Sequence, residues 1–314
     1  MTTTQRPNPI SPASTSPTPT SPAPVSLLGL GPMGVALADV LLERGHRLTV
    51  WNRTRAKADA VVARGAHRAE TAADAVAAAP LVLVCLKDYD AMYDALADAE
   101  AAPGSVIVNL NSGTPQEARD ATAWAAERGY AYLDGVIMVP PFLVGKEGAV
   151  LLYSGPRAPY DEHLPALRSL GDPRHLGTDP ALAVIYNTAL LGMMYATMNG
   201  WLHATALADS AGVSAADFAD LALGWFMPTV VTPASMHESA PALDRADYPG
   251  DLGTLEMNLT ALDHIVRTSE QQGVPADHPR QLQATAQAAV TLGHGQSNYL
   301  AVYEAFKSPS RPAA

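Results

Sequence analysis

Cysteine is all but absent: Cys85, inside the apolar run 81–86, is the single one, which rules out an intrachain disulfide and points to a reducing, cytoplasmic setting. A surplus of positive charge is missing as well. The formal net charge of −11 argues against nucleic acid or an anionic membrane surface as partner. No unbroken apolar stretch reaches the ~18 residues expected of a bilayer-spanning helix, so no membrane partner is expected. Histidines are scattered, as in "LDHIV" and "HGQSNYL", and no Cys/His cluster has metal-ligand spacing, so no metal is expected. There are only four lysines, Lys57, Lys87, Lys146 and Lys307, leaving none between 147 and 306. The first 24 residues lack the apolar core of a signal peptide and are nearly all Ser, Thr and Pro. Such a segment has nothing to bury against its ordering entropy and reads as a disordered tail over 1–24. Residues 308–314 read as a short C-terminal tail.

What is present suits a two-domain globular chain: 314 residues, 48% hydrophobic and 16% charged. From Val25 onward, strands and helices alternate. "VSLLGL" (25–30), "RLTVW" (47–51), "LVLVCL" (81–86), "SVIVNL" (105–110) and "AYLDGV" (131–136) read as buried strands. Between them lie helical patterns with recognisable ends, Pro32 opening one and Gly45 closing it, and Thr114 capping another ahead of Pro115. Alternating β and α units imply a parallel sheet covered by helices on both faces, here an α/β Rossmann domain over 25–178.

The first strand-to-helix turn is "GLGPMG", with Gly29, Gly31 and Gly34 in G-x-G-x-x-G spacing. In that motif one glycine permits the tight turn and the next lets the backbone approach a pyrophosphate. The last allows close helix packing, while the helix N-terminus faces the phosphates. The strand before it and the helix after it supply the context the motif needs. The end of the second strand then selects the cofactor. NAD sites usually place a carboxylate there for the ribose 2′-hydroxyl. This chain has Asn52, Arg53, Thr54, Arg55 and Lys57, with no acid before Asp59. Guanidinium and hydroxyl groups bind a 2′-phosphate that a carboxylate would repel, so NADPH is the expected cofactor.

After Thr178 the strand signals stop. An interdomain helix over 179–210 is apolar on most faces between 181 and 208, with small residues at Gly192, Ala196 and Gly200. A helix apolar nearly all round must be covered on all sides, and a second subunit is the expected cover. An all-α domain over 211–307 follows. In it, Ser214 caps one helix with Asp217 three residues on. Asp251 is expected to cap another, which ends at Gly273.

Taken together, Gly29-Leu30-Gly31-Pro32-Met33-Gly34, Gly45-His46, Trp51-Asn52-Arg53-Thr54, Lys57 and Gly65-Ala66 resemble the imine reductases, NADPH enzymes related to the β-hydroxyacid dehydrogenases. Pro141-x-x-Val144-Gly145 and Tyr153-Ser154-Gly155 belong to the same likeness, which covers 25–306. It implies a domain-swapped homodimer whose long interdomain helix is exchanged. Each active site would then join one subunit's Rossmann domain to the other's helical domain. By the same resemblance Cys85, Leu86, Asn109, Asn111 and Ser112 border the cofactor. Met138 and Pro140 of "MVPPF", Trp225, Met257 and Asn258 line the pocket for a small imine or amine. In the related dehydrogenases an early lysine on the interdomain helix is the acid/base and a Ser-Gly-Gly turn binds the substrate carboxylate. Here the helix has Asn187 at the matching position, and "MVPPF" replaces the turn.

Where, then, does a proton come from? Tyr186, Tyr195 and His203 are the titratable side chains on 184–204. Tyr195 is eight residues after Asn187, roughly 12 Å along a helix axis and ~80° around it. Its side chain leans toward the helix N-terminus and so back toward Asn187. Tyr186 points to another face, and His203 lies about four turns from Asn187. An iminium ion arrives already protonated, so hydride attack leaves a neutral amine and a weak donor suffices. Tyr195 as proton relay and Asn187 as a hydrogen-bonding group are therefore the expected catalytic pair. A β-hydroxyacid dehydrogenase-like carbonyl reductase and a catalytically silent NADP-binding regulatory protein are the alternatives. The missing lysine argues against the former.

Overall fold

The computed structural model describes residues 22–100, 102, 104–231 and 234–307. The tails expected over 1–24 and 308–314 fall outside these residues, apart from 22–24. By its internal contacts the chain divides between Leu191 and Gly192.

The first unit is built on an eight-stranded sheet of order β3-β2-β1-β4-β5-β6-β7-β8. β1 (Val25–Leu28), β2 (Leu48–Trp51), β3 (His67–Arg68), β4 (Leu81–Val84), β5 (Val106–Asn109) and β6 (Ala131–Ile137) pair in parallel. α1 (Pro32–Glu43), α2 (Asp59–Ala63), α3 (Ala72–Ala77), α4 (Tyr89–Leu96) and α5 (Pro115–Glu127) cross between them. β7 (Val150–Ser154) departs from the all-parallel expectation, pairing antiparallel with β6. Beyond α6 (Arg157–Leu170), β8 (Asp172–His175) pairs in parallel with β7.

Alternate residues along the strands serve two separate cores, as a sheet covered on both faces requires. Leu27, Leu81, Leu83, Val106 and Val108 pack with Leu37 and Leu41 of α1. Leu28, Val82, Val84 and Ile107 face the other way, toward Val76, Tyr89 and Met92. Capping follows the sequence. Pro32 opens α1, and Thr114 forms a capping box with Glu117 at the start of α5.

α7 (Ala181–Asp209) is 29 residues long and runs across the division between the units. Its mean hydropathy reaches 1.4 over an 18-residue window, enough by length and composition to cross a membrane. That corrects the expectation that no stretch is long enough. The interruptions that break the apolar run, Asn187, Thr188, Thr197 and Asn199, are uncharged and barely lower the average. Only Ala181, Ala183 and Val184 of this helix are buried.

The second unit is helical. It continues through α8 (Ala215–Leu221), a wide π-helical turn over Ala222–Val231, α9 (Ala234–Arg245), α10 (Leu255–Gln271), α11 (Asp277–Ala289) and α12 (Val302–Phe306). Ser214 caps α8, accepting from the Asp217 amide. The cap of α10 is Thr254, whose hydroxyl accepts from Met257 N, and not Asp251 as expected. Gly253, at φ +136°, turns the chain after Asp251, so the helix begins four residues beyond it. The unit's own core is small: Leu255, Leu262, Ala286, Ala289 and Val302.

Candidate active site

In the first unit the candidate residues sit at the carboxyl ends of β1, β2, β4, β5 and β6, the edge where open α/β sheets bind ligands. The order reverses between β1 and β4, and the glycine turn lies in that crevice. Gly29 has φ +102°, and a Cβ there would fall 2.1 Å from the Cys85 carbonyl oxygen. A Cβ on Gly34 would fall 2.0 Å from the Gly29 carbonyl oxygen. Both glycines are required by the protein itself. Gly31 differs: its added Cβ would meet nothing within 4 Å. That open space, beside an α1 N-terminus that no side chain caps, fits a pyrophosphate approaching the backbone. Leu30 is buried, Met33 half-buried and Pro32 exposed in the same turn.

Asn52 turns out to brace this turn. Its Oδ1 accepts from Leu30 N at 2.9 Å and its Nδ2 donates to the Thr54 carbonyl at 2.9 Å. Arg53, Thr54 and Lys57 are exposed beside it, and neither Arg53 nor Lys57 makes an ion pair with a carboxylate among the described residues. The nearby acids are already matched: Glu70 pairs with Arg55, and Asp59 with Arg68. The Arg55 guanidinium holds the Glu70 carboxyl below its ordinary range. The end of β2 therefore offers positive charge without a competing carboxylate, as a 2′-phosphate requires.

Cys85 follows β4, and burial pushes its thiol up to about 11, so it stays protonated near neutral pH. Leu86 N donates to Asn111 Oδ1 at 2.6 Å, tying the β4 loop to the β5 loop, and Asn111 Nδ2 donates to the Asp88 carbonyl at 2.9 Å. Asn109 Oδ1 accepts from Asn111 N at 3.2 Å. Ser112 is exposed in the same loop. Met138 extends the β6–β7 pairing through Met138 N to the Val150 carbonyl, and exposed Pro140 precedes the short turn at Pro141–Leu143.

Three residues of this edge escaped the sequence reading. Asp134 is fully buried in β6, and its Oδ2 accepts from Tyr89 Oη at 2.7 Å, Tyr132 Oη at 2.9 Å and Asn109 Nδ2 at 3.4 Å. Burial raises its pKa to about 6 against the lowering effect of those donors. The available signal was a carboxylate inside the apolar strand "AYLDGV".

On α7, Asn187 is half-buried and Tyr195 is 59% exposed. At eight residues apart they make no direct hydrogen bond. Within the second unit, Met257 and Asn258 line a cavity of about 490 Å³ with Asp251, Leu252 and Tyr299. Asn258, Tyr299, Phe226, Met236 and Ile265 line a more apolar one of about 610 Å³. Asn258 Nδ2 is held by the Thr254 carbonyl at 2.8 Å. Trp225 is half exposed and packs on Phe226 with ring centroids 6.2 Å apart; it lines neither cavity. No group of three or more His, Cys, Asp or Glu is placed to hold a metal among the described residues.

Sheet order, glycine cradle and crevice together define a dinucleotide-binding protein of the doubly wound class. Family models refine this. Residues 24–185 match the NAD-binding domain of 6-phosphogluconate dehydrogenase, and 179–308 match the C-terminal domain of NADPH-dependent reductive aminase-like proteins. The NADPH-dependent reductive aminase of Aspergillus oryzae is 36% identical over 90% of this chain and 96% of its own length. A reductive aminase from Aspergillus terreus, solved with NADPH and ethyl levulinate, superposes with a TM-score of 0.83 at 38% identity, covering 91% of this chain and all of that one. The Streptomyces aurantiacus imine reductase gives 0.83 at 36% identity, over 90% and 99% of the two chains. The chain belongs to the reductive aminase and imine reductase family.

Proposed function

We propose that the protein is an NADPH-dependent imine reductase that delivers hydride to the carbon of a C=N bond, converting cyclic imines or iminium ions to amines. The observation that carries this reading is the chemistry of α7. The helix has Asn187 where the family resemblance expects the lysine of the carbonyl-reducing dehydrogenases, and it holds no Lys, Asp or Glu before Asp209. Reducing a carbonyl creates an alkoxide that demands a proton from a positioned acid. A protonated imine makes no such demand, and binding the cation in place becomes the larger task.

NADPH, when bound, supplies the hydride. Gly29, Gly31 and Gly34 would seat its pyrophosphate, with Leu30, Pro32 and Met33 shaping the turn. Arg53, Thr54 and Lys57 would hold its 2′-phosphate while Asn52 keeps the turn in register. The loops carrying Cys85, Leu86, Asn109, Asn111 and Ser112 would border the nicotinamide. Tyr195 would relay the proton and Asn187 would hydrogen-bond the substrate nitrogen or a water. Met138, Pro140, Trp225, Met257 and Asn258 would shape the pocket.

The working form is a domain-swapped homodimer in which the Met257–Asn258 cavity of one subunit completes the site of the other. The divisions 25–178, 179–210 and 211–307 are its working parts. An obligate partner explains an uncharged helix with Met193, Met194, Met198 and Leu202 exposed in the single chain. The same partner would cover α7 in place of lipid, in keeping with a cytoplasmic enzyme.

Oxidation of NADPH with a panel of cyclic imines, set beside oxidation of 3-hydroxy acids with NADP⁺, tests the reading. Turnover of imines alone supports it. Turnover of hydroxy acids alone, or tight NADPH binding with no turnover of either, refutes it.

A further inference from the structure

The row of residues across the carboxyl edge of the sheet holds a group that the proposed chemistry does not use. By strand register, Val84, Asn109, Asp134 and Ser154 are neighbours on β4, β5, β6 and β7. A buried carboxylate at such a place is costly unless its hydrogen bonds do something an apolar residue could not. Two paths lead from Asp134 to the loops above. Along one, Asp134 Oδ2 accepts from Asn109 Nδ2, Asn109 Oδ1 accepts from Asn111 N, and Asn111 in turn holds Leu86 N and the Asp88 carbonyl. Along the other, Tyr89 donates its hydroxyl to Asp134 while its ring lies beneath the β5 loop. A Cβ added at Gly113 would fall 2.2 Å from Tyr89 Cε2, so the loop backbone rests on that ring. Asp88 caps α4 through the Ala91 amide, which fixes where Tyr89 enters.

We propose that Asp134 is a positioning residue that fixes the loops 85–88 and 109–114 in one shared arrangement, ready for the nicotinamide end of the cofactor. The inference rests on the reading of those loops as the cofactor's border. Tyr132, on β6 itself, donates to the same oxygen and interacts with Asn109, so it supports the carboxylate together with the first residue of the β5 loop. Among the described residues Asp134 Oδ1 is buried with no hydrogen-bond partner, which leaves it the oxygen open to a proton when the carboxyl becomes neutral. The groups facing the carboxylate are Tyr89 from α4, Tyr132 from β6 and Asn109 from β5, with Glu117 of α5 acting on Tyr89. None is cationic. Ionised Asp134 therefore holds the loops by accepting from all its donors at once, and protonation on the acid side weakens that hold.

The test uses the full chain with Asp134→Asn and Tyr89→Phe, and three readouts: NADPH affinity by fluorescence titration, kcat and KM with a cyclic imine, and amide hydrogen exchange without cofactor. Asp134→Asn is expected to weaken NADPH on the order of tenfold, the size of lost hydrogen bonds to a charged acceptor. Exchange should rise at Leu86 and Asn111 but not in the glycine turn 29–34 or in α10. The parent is expected to lose kcat/KM for NADPH on the acid side as Asp134, raised by burial, takes its proton, and that acid limb should disappear in the variant. Tyr89→Phe keeps the ring beneath Gly113 and should move the same readouts less, and it decides the matter if Asp134→Asn does not fold. Unchanged affinity with unchanged loop exchange, or a rise in exchange spread evenly over the chain, overturns the proposal. A parent protein that binds no NADPH refutes the cofactor reading instead, while the exchange comparison still tests the positioning.

Discussion

The carboxyl edge of the sheet and the far half of α7 are opposites in how they meet their needs. At the sheet edge, Asn52, Asn109 and Asn111 each make hydrogen bonds inside the unit, and two apolar cores back the strands. Along α7, Met193 is 64% and Leu202 51% exposed, and the helical unit's core is far smaller. One region is complete within a single chain. The other presents apolar side chains that nothing among the described residues covers. On the proposed function, the first would bind the cofactor and the second would assemble a substrate pocket with another copy.

Placing a charge on the unfinished surface breaks that contrast most severely. Leu202→Lys should yield a monomer that still binds NADPH but has lost turnover, because obligate interfaces commonly bury over ~2,000 Å² of largely apolar surface. Size-exclusion chromatography and NADPH titration check both halves, and the parent should remain dimeric on dilution to nanomolar concentrations. Tyr195→Phe comes next. Turnover should fall by about 10²-fold, the low end for a positioned acid, with NADPH affinity intact, since water replaces the phenol in part. Asn187→Ala should cost less, and Asn187→Asp should retain activity. A silent Tyr195→Phe beside an inactive Asn187→Ala would reverse the two roles.

At the complete edge the effects are smaller and more local. Gly31→Ala places a methyl in space the protein leaves empty, at φ −71°. It should leave the melting temperature unchanged and weaken NADPH by roughly tenfold or more, as it blocks close approach of the pyrophosphate. Equal affinity in the variant would deny the cradle its role. Arg53→Ala should erase most of a cofactor preference of at least about tenfold in kcat/KM, ~1.4 kcal/mol. Comparison of NADPH with NADH kinetics reads this directly.

Elements with strong local signals were legible from the residues alone. Pro32, Gly45, Thr114 and Ser214 mark helix ends by chemistry that acts within a few residues, and each stands at the end expected of it. β8 was not legible, because "DPRH" has no apolar alternation and becomes a strand only by pairing with Val150–Tyr153. β7, "VLLYS", carries a local apolar signal that was passed over, and only its antiparallel pairing with β6 is non-local. Near Asp251 two local signals competed, and Gly253 gave the cap to Thr254. Asn52 was visible as a residue at the cofactor strand, but its bond to Leu30, 22 positions away, belongs to tertiary structure. The Asp134 cluster was hidden in the same way, since Tyr89 is 45 residues from it.

Complementation between two impaired variants, assayed at NADPH concentrations well below those that saturate Gly31→Ala, tests the proposed shared site most directly. Gly31→Ala would be combined with Asn258→Trp, which fills the Met257–Asn258 cavity, and the two chains co-expressed and assayed with NADPH and a cyclic imine. If each site joins the glycine cradle of one subunit to the cavity of the other, half of a random mixture is heterodimer. Each heterodimer then keeps one intact site, so about a quarter of the parent's activity should return. Activity no higher than that of the separate variants would contradict the account, because every site would then draw both parts from a single chain.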